Sequence, residues 1–312
     1  MTQPIAVKRA AVLGAGTIGA SWTAWFLSRG IDVQVWDPRP EAKDYVRHYV
    51  TEAWPTIARL GMSTSASADA WRFCATAEDA VTDVDFVQEN APERLPVKRE
   101  LLARIDPVLR GDAILASSTS GLIMSEMQAG YRSAARFVVG HPFNPPHLIP
   151  LVEVVGGRET ALDTIEWCLA FYRHIGKQPI HIRKEAAGHL ANRLQAALWR
   201  EAVSAVVTGL ASVEDVDTAI SAGPGLRWAA MGPHMTFHLG GGEGGIEHML
   251  AQFRPAFEAW WATMSTPELS EDTCRQIIDG VKVEAKNRSI AELAAERDAV
   301  LLPLLELRAR RA

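Results

Sequence analysis

Residues 9–37 read RAAVLGAGTIGASWTAWFLSRGIDVQVWD, and the order of residue types in that stretch decides the fold. An apolar run ends at Leu13, a glycine turn follows from Gly14 to Gly19, a helical stretch stops at Gly30, and a second strand closes on Asp37. Strand, glycine turn, helix and strand make a βαβ unit. The alternation continues downstream, with helical texture at 41–60 and 95–109 and strands at 85–90, before the polar turn at 117–121, and at 136–141. It predicts an α/β fold of Rossmann type, a doubly wound, mainly parallel sheet with helices on both faces. From about residue 185 the texture is helical. Leu190, Leu194, Ala197 and Leu198 share one stripe, and Ser212 with Asp215 forms a capping box. We therefore expect two domains, an α/β domain over 1–185 and an all-α domain over 186–312.

The bulk properties narrow the partners. A formal charge of −5 with no basic tract disfavours nucleic acid, and no apolar run is long enough to span a bilayer. The N-terminal MTQPIAVKRA lacks the basic and apolar regions of a secretory signal. Cys74, Cys168 and Cys274 stand alone without CxxC spacing, which suits a reducing compartment, so a cytoplasmic protein is expected. A small polar or zwitterionic molecule is the natural partner.

Gly14-x-Gly16-x-x-Gly19 follows a strand and opens a helix, and Asp37 stands eighteen residues beyond its last glycine. The first glycine permits the tight turn, the second admits a pyrophosphate to the backbone, and the third lets helix and strand pack closely. Phosphates rest on the helix start, where free N–H groups favour negative charge. Asp37 would accept hydrogen bonds from a ribose and repel a 2′-phosphate, which makes NAD the expected cofactor. Arg39 leaves NADP admissible. Thr17 and Ile18 complete the loop, and Glu93, Lys98 and Ser118 are the other residues expected on the cofactor side.

The stretch 138–155, VVGHPFNPPHLIPLVEVV, poses a second question. His141 interrupts the end of one apolar run, and Glu153 sits inside the next. A carboxylate within a buried strand is costly unless a cation or donor meets it, and His141 at a strand end is the natural partner. Such a pair makes a general base with its orienting acid. The ordinary alternative is a hydrogen-bonded loop histidine and an exposed edge-strand glutamate. Two more segments bear on the choice: the hydroxyl-rich turn SSTSG at 117–121 and GHLANRL at 188–194, which carries Asn192.

With these motifs in order, the chain resembles the L-3-hydroxyacyl-CoA dehydrogenase family, whose pattern is an NTS turn, an H-F-N-P segment, an L-V-E-V strand and a G-x-x-x-N-R helix start. Here the turn is STS, with Ser118 in place of the asparagine. The resemblance implies that His141 is the catalytic base, Glu153 its orienting acid, and Ser120 and Asn192 hydrogen-bond partners of the reacting oxygen. It also implies a homodimer formed through the helical domain.

Substrate choice is legible in part. The family's CoA enzymes offer a lysine-rich helical hairpin after the second strand, whereas 44–80 here has no lysine and only Arg47, Arg59 and Arg72 as permanent cations. Residues 223–253 resemble the branch of the superfamily that oxidises L-carnitine, a free 3-hydroxy acid with a trimethylammonium group. A quaternary ammonium donates no hydrogen bond, so aromatic faces must recognise it. Phe143, Trp228 and Phe253 are the candidates, with Gly188, Ala191 and Gly223 allowing close backbone approach; core packing is the plainer reading of Trp228 and Phe253. A short 3-hydroxyacyl-CoA or L-gulonate is the alternative substrate, and a non-catalytic NAD-binding protein the alternative of another class. No metal is expected, because His234 and His238 have helical ligand spacing but no HExxH motif.

Overall fold

The structure, a computed structural model, describes residues 7–309; the N-terminal residues 1–6 on which the signal-segment reading rests lie outside them. Eight strands, β1 (Arg9–Leu13), β2 (Asp32–Trp36), β3 (Trp71–Phe73), β4 (Phe86–Glu89), β5 (Ile114–Ser117), β6 (Phe137–Pro142), β7 (Leu151–Gly156) and β8 (Gln178–Ile182), form one sheet in the order β3-β2-β1-β4-β5-β6-β7-β8. Helices α1 (Thr17–Ser28), α2 (Ala42–Arg59), α3 (Ala77–Ala80), α4 (Leu95–Ile105), α5 (Met124–Gln128) and α6 (Leu162–His174) connect the strands. The helix at 95 stops at Ile105 rather than 109: Asp106 keeps helical φ and ψ, and Pro107, without an N–H, cannot continue the hydrogen-bond ladder.

Alternation along β1 shows both faces covered. Ala10 and Val12 join a core with Trp22 and Phe26 of α1 and Phe171 and Tyr172 of α6. Ala11 and Leu13 join the opposite core, with Leu101 and Leu102 of α4 and Met124 and Met127 of α5. The chain leaves β1 toward β2 and β3, then returns to place β4 on the other side of β1. The crevice at the carboxyl ends of β1 and β4 is where such sheets bind ligands.

One pairing departs from parallel. β6 and β7 run antiparallel, since the eight residues between them are too few for a crossover helix. Glu153 therefore does not sit in a parallel strand on both sides, as its apolar surroundings suggest; β7 is antiparallel to β6 and parallel to β8.

The chain divides into two compact units, one running to Asn192 and including the chain from Ala299, the other spanning Arg193–Asp298. In the first, Glu306 pairs with Arg59 of α2 at 2.9 Å. The second is built from α7 (Ala191–Val207), which crosses the division, α8 (Val213–Ser221), α9 (Pro224–Ala230), α10 (Pro233–Gly240), α11 (Gly245–Thr263) and α12 (Glu271–Ala285), followed by the start of α13 (Ile290–Ala309). The Ser212 hydroxyl accepts from the Asp215 amide at 3.1 Å, as the capping box predicts. Among the described residues no helix is long and apolar enough to cross a membrane.

Candidate active site

The antiparallel register sets His141 of β6 directly opposite Glu153 of β7. Both are buried, and His141 Nδ1 lies 2.7 Å from Glu153 Oε2. A carboxylate only accepts, so Nδ1 carries the hydrogen and Nε2 is left with its lone pair. The other carboxylate oxygen, Oε1, accepts from the Leu190 and Ala191 amides at 3.0 and 2.8 Å. These are free donors at the start of α7, where the helix dipole favours negative charge. Burial raises the Glu153 pKa, but the His141 hydrogen bond and the two amides outweigh it, and the carboxyl titrates below its ordinary value. The arrangement is a histidine held in one tautomer by an ionised carboxylate.

The serine turn follows β5. Glu93 Oε1 accepts from the Thr119 hydroxyl at 2.6 Å, the Ser120 amide at 2.8 Å, the Ser120 hydroxyl at 3.1 Å and the Gly121 amide at 3.0 Å. Burial pushes the Glu93 carboxyl up, and the Thr119 bond, the charge of Lys98 and the bonds from Ser120 bring it net below its usual value. Asn192 Nδ2 donates to the Ser120 carbonyl at 3.2 Å. Ser120, Asn192, Glu153 and His141 are thus joined by a continuous path of hydrogen bonds and two peptide steps, from residues far apart in sequence.

The glycine loop matches its expected geometry. Gly14 has φ of +87°, and a Cβ there would meet the Asn90 carbonyl at 2.6 Å. A Cβ on Gly19 would stand 1.9 Å from the Gly14 oxygen, whereas one on Gly16 would meet nothing within 4 Å. The first and third glycines are demanded by the chain itself, and the second leaves space beside the helix start. A cavity of about 620 Å³ opens there, lined by Gly14, Gly16, Trp36, Asp37, Arg39 and Arg104 among others. These are the residues a dinucleotide needs. Asp37 is buried; its Oδ2 accepts from the Ala15 amide at 2.8 Å, and its Oδ1 from the Arg39 amide at 3.0 Å and Nε at 2.9 Å. Burial raises its pKa, but the Arg39 side chain and the two amides carry it net below the ordinary value. Thr17 Oγ1 is 3.2 Å from the Tyr45 hydroxyl, and Ile18 packs on the core.

Residues 9–186 match the sequence profile described as "3-hydroxyacyl-CoA dehydrogenase, NAD binding domain", and residues 188–279 that of "3-hydroxyacyl-CoA dehydrogenase, C-terminal domain". The chain belongs to this family. It is accordingly an NAD-dependent oxidoreductase. The chain is 49% identical over 310 residues to L-carnitine dehydrogenase of Streptomyces coelicolor, covering 99% of this chain and 98% of that protein. It is 44% identical over 299 residues to L-carnitine dehydrogenase of Pseudomonas aeruginosa, covering 96% and 93%. Among solved structures, an NAD-dependent 5-formyl-3-hydroxy-2-methylpyridine 4-carboxylic acid 5-dehydrogenase superposes with a TM-score of 0.84 at 28% identity, covering 97% of this chain and 98% of that one.

Three residues expected beside the cofactor also make contacts within the chain. Lys98 is buried, and its ammonium contacts both Glu89 oxygens, at 2.9 and 3.0 Å, and the Ala91 carbonyl at 2.9 Å. These contacts brace the loop after β4. Glu93 organises the serine turn. Ser118 donates to Asn90 Oδ1 at 2.7 Å and accepts from Gln88 Nε2 at 2.8 Å.

On the substrate side, the Phe143 ring stands edge-on to His141 with 5.1 Å between centroids. Gly188 has φ of +75°, and the Ala191 amide is one of the two on Glu153. Gly223, Trp228 and Phe253 belong to the second unit. A Cβ on Gly223 would fall 2.4 Å from the Ala219 carbonyl, so this glycine is required by the turn between α8 and α9. Trp228 and Phe253 are exposed, which removes core packing within the chain as their explanation. The cations of the 44–80 segment are all occupied: Arg47 by Asp44, Arg59 by Glu306 and Arg72 by Gln34. Sequence reasoning missed Glu89 and His189. Glu89, between Gln88 and Asn90 at the end of β4, carried no such signal as Glu153, and His189 carried none beyond its place next to Gly188.

Proposed function

We propose that the protein is an NAD-dependent L-carnitine dehydrogenase, oxidising the secondary alcohol to the ketone. The observation that carries the chemistry is the buried His141–Glu153 pair with Nε2 left as an acceptor. The substrate rests on the near full-length likeness to L-carnitine dehydrogenases. When bound, NAD supplies the hydride acceptor. Neutral His141 takes the hydroxyl proton at Nε2, and the Glu153 carboxylate stabilises the resulting imidazolium. Ser120 and Asn192 hydrogen-bond the reacting oxygen. In the reverse direction protonated His141 returns the proton.

The glycine loop and Asp37 hold the cofactor, with Thr17, Ile18, Glu93, Lys98 and Ser118 the other residues on its side. NAD is expected to be preferred over NADP at equal concentration, and Asp37→Ala to raise KM for NAD about tenfold through loss of charge-assisted bonds. A wild-type preference for NADP overturns the role of Asp37.

A trimethylammonium group is held by aromatic faces; Phe143 beside the base is the leading contact, and Trp228 and Phe253 are the further aromatic candidates. Gly188, Ala191 and Gly223 are the backbone approaches. NADH production should be measured with L-carnitine, D-carnitine, 3-hydroxybutyrate, 3-hydroxybutyryl-CoA and L-gulonate; activity confined to L-carnitine is the expected result, and activity confined to the CoA ester or gulonate discards the substrate. Phe143→Ala is expected to raise KM for L-carnitine by about 2- to 30-fold and leave KM for NAD unchanged.

We further infer a domain of 1–185 for the cofactor and one of 186–312 for substrate and dimerisation. Leu194, Leu198, Trp199, Trp260 and Trp261 are exposed in the single chain, which supports a homodimer. Three free cysteines, two of them buried, support a cytoplasmic location.

A further inference from the structure

The turn into α7 does more than start a helix. Gly188 and His189 both have positive φ, +75° and +50°. That conformation is uncommon for a residue with a Cβ, and it swings the Leu190 and Ala191 amides onto Glu153. The His189 ring is driven inward at the same point and is only 3% exposed.

Its Nε2 lies 3.0 Å from the Thr119 carbonyl. A carbonyl only accepts, so Nε2 carries the hydrogen and Nδ1 keeps a lone pair. That Nδ1 is buried and has no hydrogen-bond partner. A buried imidazole with one nitrogen unsatisfied is retained at some cost. The ring is 5.4 Å from the His141 ring, centroid to centroid. It faces His141 of β6, Glu153 of β7 and Glu93 of the loop after β4, and shares a small apolar space with Glu185, whose carboxylate is taken by Ser125. Burial holds its pKa below the ordinary imidazole value; the charge of His141 adds to this, against the Thr119 carbonyl, Glu153 and Glu93.

We propose that His189 is a positioning residue: as a neutral ring it ties the serine turn, through Thr119, to the helix start that clamps Glu153, so that Ser120, Asn192 and His141 keep one geometry. The proposal rests on the reading of His141 as the base. Neutrality is part of the role. His141 becomes cationic during oxidation, and a second cation at 5.4 Å would oppose that step.

The test compares His189→Phe, which keeps an aromatic ring and loses the Nε2 hydrogen, with His189→Gln, which keeps a donor at the reach of Nε2. His141→Ala is assayed alongside. kcat, KM for L-carnitine and NAD, and the pH dependence of kcat are measured on each. His189→Phe is expected to lose about 10- to 100-fold in kcat through misalignment, with KM for NAD unchanged. His189→Gln should recover most of the loss and keep the wild-type pH profile, because glutamine replaces a ring that acts in its neutral form. Wild-type kcat in the Phe variant, equal damage in both variants, or a shifted profile in the Gln variant overturns the proposal. Should the Phe variant fail to fold, a Gln variant with most of the activity and an unshifted profile supports it, and a Gln variant without these overturns it. Turnover surviving in His141→Ala removes the base assignment and this inference with it, an outcome distinct from failure at His189 alone.

Discussion

His141→Ala is expected to lower kcat by about 10²- to 10⁴-fold, the range that a general base contributes, while NADH binds nearly as well as before. The two halves of this expectation have separate structural grounds. His141 is on β6, and two strands, β4 and β5, stand between it and β1, whose glycine loop and cavity form the cofactor end. Glu153 keeps the Leu190 and Ala191 amides when the imidazole is removed, so the start of α7 retains its anchor. Fluorescence titration with NADH and steady-state NADH production on the same preparation separate binding from chemistry. Retained turnover would show that the proton leaves by another route, and a large loss of NADH affinity would show damage reaching β1.

The parts of the site that were legible in sequence are those whose signal is local. Gly14, Gly16, Gly19 and Asp37 lie within one βαβ unit, and their spacing is visible without knowing what the rest of the chain brings to them. His141 and Glu153 were legible as a pair because polar groups in apolar runs must be satisfied, and one could satisfy the other. Their register was not. It follows from an eight-residue connection that turns β7 antiparallel to β6 and sets the two side chains opposite each other.

What sequence does not show is which further contacts a site residue makes. Lys98, expected on the cofactor side, also contacts Glu89, nine residues away, at 2.9 Å. Arg39 leaves NADP open by its charge, yet its guanidinium lies on Asp37 at 2.9 Å. Glu93, expected on the same side, also accepts from Thr119, Ser120 and Gly121. In each case the fold adds partners that the residue type alone does not name.

Glu153→Gln is the sharper test of the pair, because it removes a charge and almost no volume. The amide oxygen must face the Leu190 and Ala191 N–H groups, since an amide nitrogen there would set donor against donor. The amide N–H₂ is then turned toward His141 Nδ1, which must become an acceptor. The hydrogen moves to Nε2, the nitrogen that has to take the substrate proton. The equivalent carboxylate-to-amide change in a serine-protease triad costs about 10⁴-fold in kcat, and a loss of about that size is expected here with KM for NAD unchanged. Stability should respond to pH as well. The wild-type carboxyl titrates below its ordinary value of 4.5, so its stabilisation is complete above that value and is lost as pH falls through the folded-state pKa. The Gln variant has no such group. It should be less stable than wild type at pH 7 by thermal melting, and the difference should shrink toward pH 3. Wild-type turnover in this variant would mean that the tautomer of His141 is set by something other than Glu153, and the mechanism would have to be rebuilt without it.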